Sequence, residues 1–227
     1  MTNVYAWPPV GVRGSEWTYT QPVSVSRSMM TGARVVSQFQ AERRLVRLDV
    51  SALGQGSIGA GYMEVLKRLI AGGVGLVRLN SYPINWYIDG GASGDFWFTG
   101  ALIEGTPGTA DGWDIVTVTG LPASRLVARP GDFLTVFEDV SDTVGTTVMI
   151  QALAYSDGTG EAVIRVVEAI PFTGRVNLGG SDTGVFEATT IPRAMQQVGS
   201  DWTYSWEFRE VFADEVPGGF TEVDPWN

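Results

Sequence analysis

Apolar and polar side chains alternate from Glu16 to Arg27, with Trp17, Val23 and Val25 on the apolar side. Alternation with a period of two residues is typical of a β-strand that buries one face. Pro22 interrupts the run, and proline lacks the N–H group that an interior strand donates to its neighbour. The pattern therefore predicts an edge strand, or a strand with a bulge at this point.

Two later segments repeat this alternation. Residues 45–51 alternate apolar and polar or charged side chains, and residues 29–44 before them are predicted to form a flexible hairpin arm that carries arginines. Residues 201–205 (Asp-Trp-Thr-Tyr-Ser) resemble residues 16–20 (Glu-Trp-Thr-Tyr-Thr). We expect these segments to occupy equivalent places in one sheet; the alternative is a coincidence over a short stretch.

One segment has helical periodicity. Apolar residues recur there at intervals of three and four, at Tyr62, Val65, Leu66, Leu69 and Ile70. This spacing predicts one helix near residues 60–71 that packs these side chains against the core. Gly72 and Gly73 are expected to end it.

From residue 95 onward the apolar runs are shorter, and turn residues separate them. Residues 129–132 (Arg-Pro-Gly-Asp) form a predicted turn directly before the apolar strand 133–137, and residues 157–160 (Asp-Gly-Thr-Gly) form a predicted hairpin turn. Several short strands without a helical pattern predict a small closed barrel or a sandwich.

These patterns predict a mainly β chain with one short helix, in the β or α+β class. Residues 1–90 and 194–227 are expected to form one domain, with residues 95–193 inserted into it as a second. The acidic tail from Ala213, rich in Gly and Pro, is expected to lack regular structure.

The amino-acid composition excludes several kinds of catalytic and metal site. The 227 residues include no His and no Cys, which removes the commonest general base, thiolate nucleophiles and the usual zinc ligands. The Asp-Gly stretches at 111–114 and 157–161 lack the alternating ligands of an EF-hand loop, so turn geometry is the better interpretation. We expect no enzyme, no catalytic residue, no metal and no cofactor, and a carboxylate-based hydrolase ranks last among the functions.

Charge is distributed unevenly along the chain. Residues 1–78 carry nine basic and four acidic side chains, a net charge of +5, whereas the remainder carries six and twenty-one, a net charge of −15. Two explanations stay open: opposite charges support layered or self-complementary assembly of subunits, or each part solvates its own surface. The arginines are dispersed and match no recognition motif, so we expect no sequence-specific contact with nucleic acid.

Aromatic residues offer a different function. Eight Trp and seven Tyr suit carbohydrate binding by stacking, and Trp97 and Trp113 are the candidate platforms. Most of the aromatic residues lie at alternating strand positions, which favours burial. The sequence also has no run of 18 apolar residues, so we expect a soluble protein made in the cytoplasm, without a membrane partner.

Short motifs along the chain suggest a known family. The second part contains Val116-Thr-Val-Thr-Gly-Leu-Pro122, Arg129-Pro-Gly-Asp-Phe133, Asp157-Gly-Thr-Gly-Glu-Ala-Val-Ile-Arg165 and Ile170-Pro171. These motifs resemble the second domain of tail-tip proteins from long-tailed, siphovirus-like bacteriophages and related gene-transfer particles. The Trp-rich first strand, the hairpin, the helix and the strand Trp202 to Phe208 look like the belt domain of the distal tail protein.

The resemblance implies a virion structural protein at the tail tip. It implies a homohexameric ring that joins the tail tube protein to the baseplate hub protein, with a split barrel in the ring and an inserted barrel like an oligonucleotide-binding (OB) fold outside it. Arg27, Arg34, Arg43, Arg44 and Arg47 are our candidates for pairing across subunits. The alternative function is a carbohydrate-binding module for a host-surface glycan.

Overall fold

A computed structural model describes residues 1–38, 42–51, 59–71, 74–82, 103–139, 141, 144–196 and 202–226. The chain divides into two compact units, residues 1–79 with 183–227 and residues 80–182. The inserted segment thus ends at residue 182 rather than at the expected 193. The physical reason is that Asp182–Thr190 is a strand that pairs with Trp202–Glu210 of the first unit.

The chain is mainly β with one α-helix, as the sequence predicts. The strands before the helix are β1 (Thr2–Ala6), β2 (Val12–Thr20), β3 (Val23–Arg27), β4 (Arg34–Gln38) and β5 (Arg43–Ser51). The helix α1 (Gly59–Leu69) is followed by β6 (Leu76–Ser81), β7 (Glu104–Ala110), β8 (Trp113–Thr119), β9 (Leu126–Ala128), β10 (Phe133–Phe137) and β11 (Gly145–Met149). The remaining strands are β12 (Ala154–Tyr155), β13 (Ala162–Arg165), β14 (Gly174–Leu178), β15 (Asp182–Thr190), β16 (Met195–Gln196), β17 (Trp202–Glu210) and β18 (Phe220–Val223).

A mixed eight-stranded sheet organises the first unit. Its strand order is β18-β1-β6-β15-β17-β5-β2, and β16 also pairs with β17. The two echoing segments lie in this one sheet, on either side of β5, where Trp17 and Phe208 both face Val46 in register. The expectation of one sheet is confirmed, but the matching residues do not occupy equivalent places, because Tyr19 pairs with Arg44 and is 45% exposed, whereas Tyr204 pairs with Val50 and is buried.

The alternation along β17 and β5 places one face of each strand in the core. Tyr204, Trp206 and Phe208 of β17 are buried, and so are Val46 and Leu48 of β5. The alternation along β2 has a different outcome, because β2 is an edge strand and only its Trp17 is partly buried. An edge strand has one neighbour instead of two, so a shorter stretch of its apolar side is covered.

The helix buries most of the predicted face, since Leu66 and Ile70 are buried and Tyr62 and Leu69 are partly buried, but the face is turned toward Met63 and away from Val65. Met63, Leu66 and Ile70 are buried, whereas Val65 is 47% exposed. At Met63 this rotation is supported by Trp206, whose indole Nε1 donates to the Met63 sulfur at 3.4 Å. Gly72 and Gly73, predicted to end the helix, lie outside the described residues.

The acidic tail is ordered, contrary to the expectation from its composition. Strand β18 pairs in parallel with β1, and beyond it Trp226 packs edge-on against Tyr62 with ring centroids 5.4 Å apart. The Trp226 indole N–H donates to the Ala6 carbonyl at 2.7 Å. Apolar residues spaced through the tail bury against the first unit, which compensates for its Gly and Pro content.

The second unit contains a six-stranded sheet in the order β11-β10-β14-β7-β8-β13. Its two end strands approach each other at one isolated bridge between Ile150 and Val166, which follow β11 and β13. The sheet therefore curls around an apolar core, but among the described residues no ladder closes it into the barrel that the sequence suggested. The largest fully buried side chains of this core are Leu134, Ile150, Ile164 and Leu178.

Both predicted turns of the second unit are present. Gly131 has a φ of 85°, and the Asp132 carboxylate accepts from the Arg129 backbone N–H at 3.1 Å. The Asp157 carboxylate accepts from the N–H groups of Thr159 and Glu161 at 2.8 and 2.9 Å. The hydrogen bond from the Glu161 backbone is the largest cause that lowers the pKa of Asp157. These carboxylates serve turn geometry.

Candidate interaction site

An exposed two-stranded arm leaves the first unit. Among the described residues, strands β3 and β4 pair only with each other. The Gln21 amide donates to the Glu42 carboxylate at 3.0 Å near the base of this ribbon. We call residues 22–38 the arm. A hairpin is present, as expected, but it is shifted from the predicted residues 29–44. Its strands are residues 23–27 and 34–38, and Arg43 and Arg44 belong to β5.

One face of the arm is apolar and basic. The register places Val25 opposite Val36 and Arg27 opposite Arg34 on the same face as Val23, and the other face carries Ser24 and Ser26 opposite Ser37 and Val35. The three valines of the first face are 44 to 50% exposed. An isolated two-stranded hairpin is at best marginally stable in water. The arm is thus a surface that gains stability from a covering partner.

The two arginines of the arm indicate the charge of the partner surface that would cover it. Arg27 and Arg34 lie directly opposite each other, and like charges in that position are destabilising. The arm contains no Asp or Glu. An acidic surface placed over this face relieves the repulsion between the two guanidinium groups. At the tip, Met29 and Met30 are fully exposed, so apolar contacts are available beside the charges.

Arg43 and Arg44 were expected at the subunit interface, but both are engaged within the chain. Arg44 forms an ion pair with Glu210, with side chains 11 and 9% exposed. The Arg44 guanidinium also lies 5.5 Å from the centroid of the Phe186 ring. Arg43 donates to Glu215 at 3.0 Å and to the Glu210 carbonyl at 2.9 Å. Both guanidinium groups are thus engaged within the chain, so neither is available to pair with a second subunit.

The ion pair with Glu215 has electrostatic consequences for both partners. The hydrogen bond from Arg43 is the largest cause that lowers the pKa of Glu215, and the same bond raises the pKa of Arg43. A further ion pair joins Arg78 to Glu222. In all three pairs an arginine of the basic first part of the chain meets a glutamate of the acidic last part.

These pairs change the explanation of the charge asymmetry. Residues 183–227 carry two arginines and eight acids, which brings the net charge of the first unit from +5 to −1. Residues 80–182 carry four arginines and thirteen acids, a net charge of −9. The positive charge of residues 1–78 is thus largely balanced by the acidic residues 183–227 of the same unit. Most of the net negative charge of the chain lies in the second unit.

Arg47 is the remaining candidate, and it lies on the outward face of the large sheet. Its side chain is 55% exposed, and its Nε is 4.0 Å from the Asp49 carboxylate. Glu16 and Glu207 flank it in register on β2 and β17. This alternation of charge gives Arg47 two acidic neighbours within the chain, so it offers less to a partner than the arm arginines do.

The two tryptophans proposed to stack on sugars have different outcomes. Trp97 lies outside the described residues. Trp113 begins β8 and is 46% exposed. On the neighbouring strand Val163 is 52% exposed, and beyond its end Val167 is 56% exposed. An open aromatic and aliphatic face therefore exists on the second unit.

Other classes of site find no support within the described ranges. No group of three or more Asp and Glu side chains there is placed to hold a metal ion, and no helix there is long and apolar enough to cross a membrane. The chain matches no protein-family model and no curated protein.

Proposed function

We propose that this chain is a structural subunit of a phage-like tail tip, a distal tail protein that assembles into a closed ring, six-fold as in the family it resembles. The ring joins the tail tube protein to the baseplate hub protein. The observation that carries the proposal is the arm, whose exposed valines and opposed arginines require a covering surface.

A ring needs a contact between two different surfaces of each subunit that repeats until it closes. The arm is one such surface, with two arginines and no acidic residue. The acidic second unit of a neighbouring copy, with its net charge of −9, supplies the opposite sign. A copy that offers its arm to one neighbour and its second unit to another makes a heterologous contact, and this contact gives a ring when the rotation between copies closes.

Native mass spectrometry combined with negative-stain imaging tests the proposal. The expected result is a six-fold ring with an open channel, or two such rings back to back, formed by the purified chain or after addition of a tail tube protein. A chain that stays monomeric under both conditions up to about millimolar concentration overturns the proposal, because a weaker contact does not hold a particle together.

A second function, carbohydrate binding at the host surface, is favoured by one observation. Trp113 is 46% exposed at the start of β8, Val163 on the paired strand β13 and Val167 beyond it are also exposed, and indole rings stack on the apolar faces of sugars. Titration with host-surface glycans tests it, with Trp113→Ala expected to abolish binding. Binding that survives this substitution, or no binding by the unaltered chain, refutes this second function.

A further inference from the structure

A groove on the first unit combines unpaired positive charge with an apolar wall. It has a volume of about 370 Å³ and is lined in part by Arg13, Arg193 and Met195. Thr203 and Ser205 of β17 and Asp49 of β5 also line it. A volume of this size lies in the range of sites for small ligands and short peptide segments.

A β-bulge shapes the groove. The pairing of β2 with β5 shifts register between Val12 and Gly14, and the bulged residue between them is Arg13. A bulge re-aims the side chain of its extra residue. Gly14 lies opposite Asp49, and a Cβ at Gly14 would come no closer than 3.9 Å to the Asp49 side chain. The chain thus places Arg13 in the groove and leaves space above Asp49.

The two arginines of the groove differ from those already described. Within the part of the chain that the structure describes, neither Arg13 nor Arg193 forms an ion pair, whereas Arg43, Arg44 and Arg78 do. Both side chains belong to exposed residues. Guanidinium groups bind carboxylates through paired N–H donors.

The charge of the groove selects the kind of anion. The charged lining residues Arg13, Arg193 and Asp49 carry a net charge of +1, which a singly charged carboxylate neutralises. Asp49 accepts a hydrogen bond from Ser205 at 2.6 Å, and Arg47 lies 4.0 Å from it. Met195 is 60% exposed at the wall, which suits an apolar side chain beside the carboxylate.

We propose that this groove binds an acidic side chain of a partner protein segment, with Arg13 and Arg193 holding the carboxylate and Met195 contacting an apolar neighbour of that acid. This site is separate from the arm, and its occupation does not depend on ring formation. Failure of the proposed ring assembly would therefore not contradict the groove, and failure of the groove to bind would not contradict ring assembly.

Titration of the ¹⁵N-labelled chain with a capped pentapeptide, Gly-Val-Glu-Val-Gly, tests the proposal by amide chemical shifts. The expected shifts concentrate at Asp49, Thr203 and Ser205. The same peptide with Gln in place of Glu is expected to bind at least about tenfold more weakly, because it loses the charge-assisted hydrogen bonds. Equal binding of the two peptides overturns the proposal.

Substitutions assign the effect to the groove. Arg13→Gln and Arg193→Gln are each expected to weaken binding of the Glu peptide by about fivefold or more, whereas Arg68→Gln, an exposed arginine on the helix, changes it by less than about twofold. Asp49→Asn is expected to tighten binding, since the groove then carries a net charge of +2. Weakening by Asp49→Asn, or equal effects of all three arginines, contradicts the assignment.

Two free anions complete the experiment. Acetate is expected to compete weakly with the Glu peptide, which shows that the carboxylate is the recognised group. If inorganic phosphate binds more tightly than the peptide, the argument from the net charge of the groove is wrong. If acetate binds as tightly as the peptide, Met195 does not contribute the apolar contact.

Discussion

Replacement of two valines on the arm gives the sharpest test of the proposed assembly. Val25 and Val36 lie opposite each other and are 49 and 50% exposed. In the double variant Val25→Thr with Val36→Thr, each side chain keeps its branched shape and its preference for strands. The free arm therefore keeps its geometry, and the change acts on the face that a partner covers.

The size of the effect follows from the exposed area. Full burial of a valine contributes about 1.5 to 3 kcal/mol, so covering its exposed half contributes about 1 kcal/mol, which the hydroxyl of Thr forfeits. Two sites lose about 2 kcal/mol, which raises the dissociation constant of each arm contact by roughly 30-fold. The conformational stability of the monomer is expected to change by less than about 0.5 kcal/mol, because both positions are exposed.

The assay is a dilution series followed by sedimentation velocity, which gives the concentration at which half of the subunits are assembled. Val65→Thr with Val74→Thr is the matched control, since these valines are 47 and 75% exposed on the same unit away from the arm. A shift of less than about threefold for the arm variant, or an equal shift for the control, refutes the role of the arm.

Three further predictions concern the unassembled chain. Gly160→Ala is expected to cost at least about 1 kcal/mol in urea unfolding, because φ is +81° and a Cβ overlaps the Leu121 carbonyl oxygen, whereas Gly158→Ala, with open space around it, does not destabilise the chain. Arg44→Gln leaves the buried carboxylate of Glu210 without its charge partner, so it is expected to cost about 3 kcal/mol; a loss below about 1 kcal/mol contradicts this. The lowered pKa of Glu215 means that its ion pair stabilises the fold above the ordinary glutamate pKa of about 4.3 and is lost as pH falls through the lower folded value. Unfolding measured from pH 6 to pH 3 is expected to show a flatter acid side in Glu215→Gln, and an unchanged slope would count against the ion pair.

Local patterns in the sequence determined much of the fold because they depend on neighbours along the chain. The alternation at Trp202 to Phe208 predicts a strand with one buried face, and the structure buries Tyr204, Trp206 and Phe208. The turn at residues 129–132 follows from the fixed φ of Pro130, the positive φ of Gly131 and the carboxylate of Asp132. The single helix follows from its apolar spacing.

The face that the helix buries was decided by the partner it meets. The spacing places both Tyr62 and Val65 on the apolar stripe, and a stripe that wide allows several rotations about the helix axis. Contact between Met63 and Trp206 supports one of them. The same reasoning applies to the tail, where Trp226 is anchored by Ala6 and Tyr62, and no local pattern links positions so far apart in the chain.

For the candidate sites, too, the sequence determined some features and the tertiary structure determined the others. The sequence by itself determined an arginine-bearing hairpin, an uneven charge and a composition without His or Cys. Only the tertiary structure decided which arginines face a partner, since Arg43 and Arg44 find Glu215 and Glu210 more than 160 residues away along the chain, while Arg27 and Arg34 find each other. The interaction between two charges depends on their distance in space, and the separation of two residues in the sequence does not determine that distance.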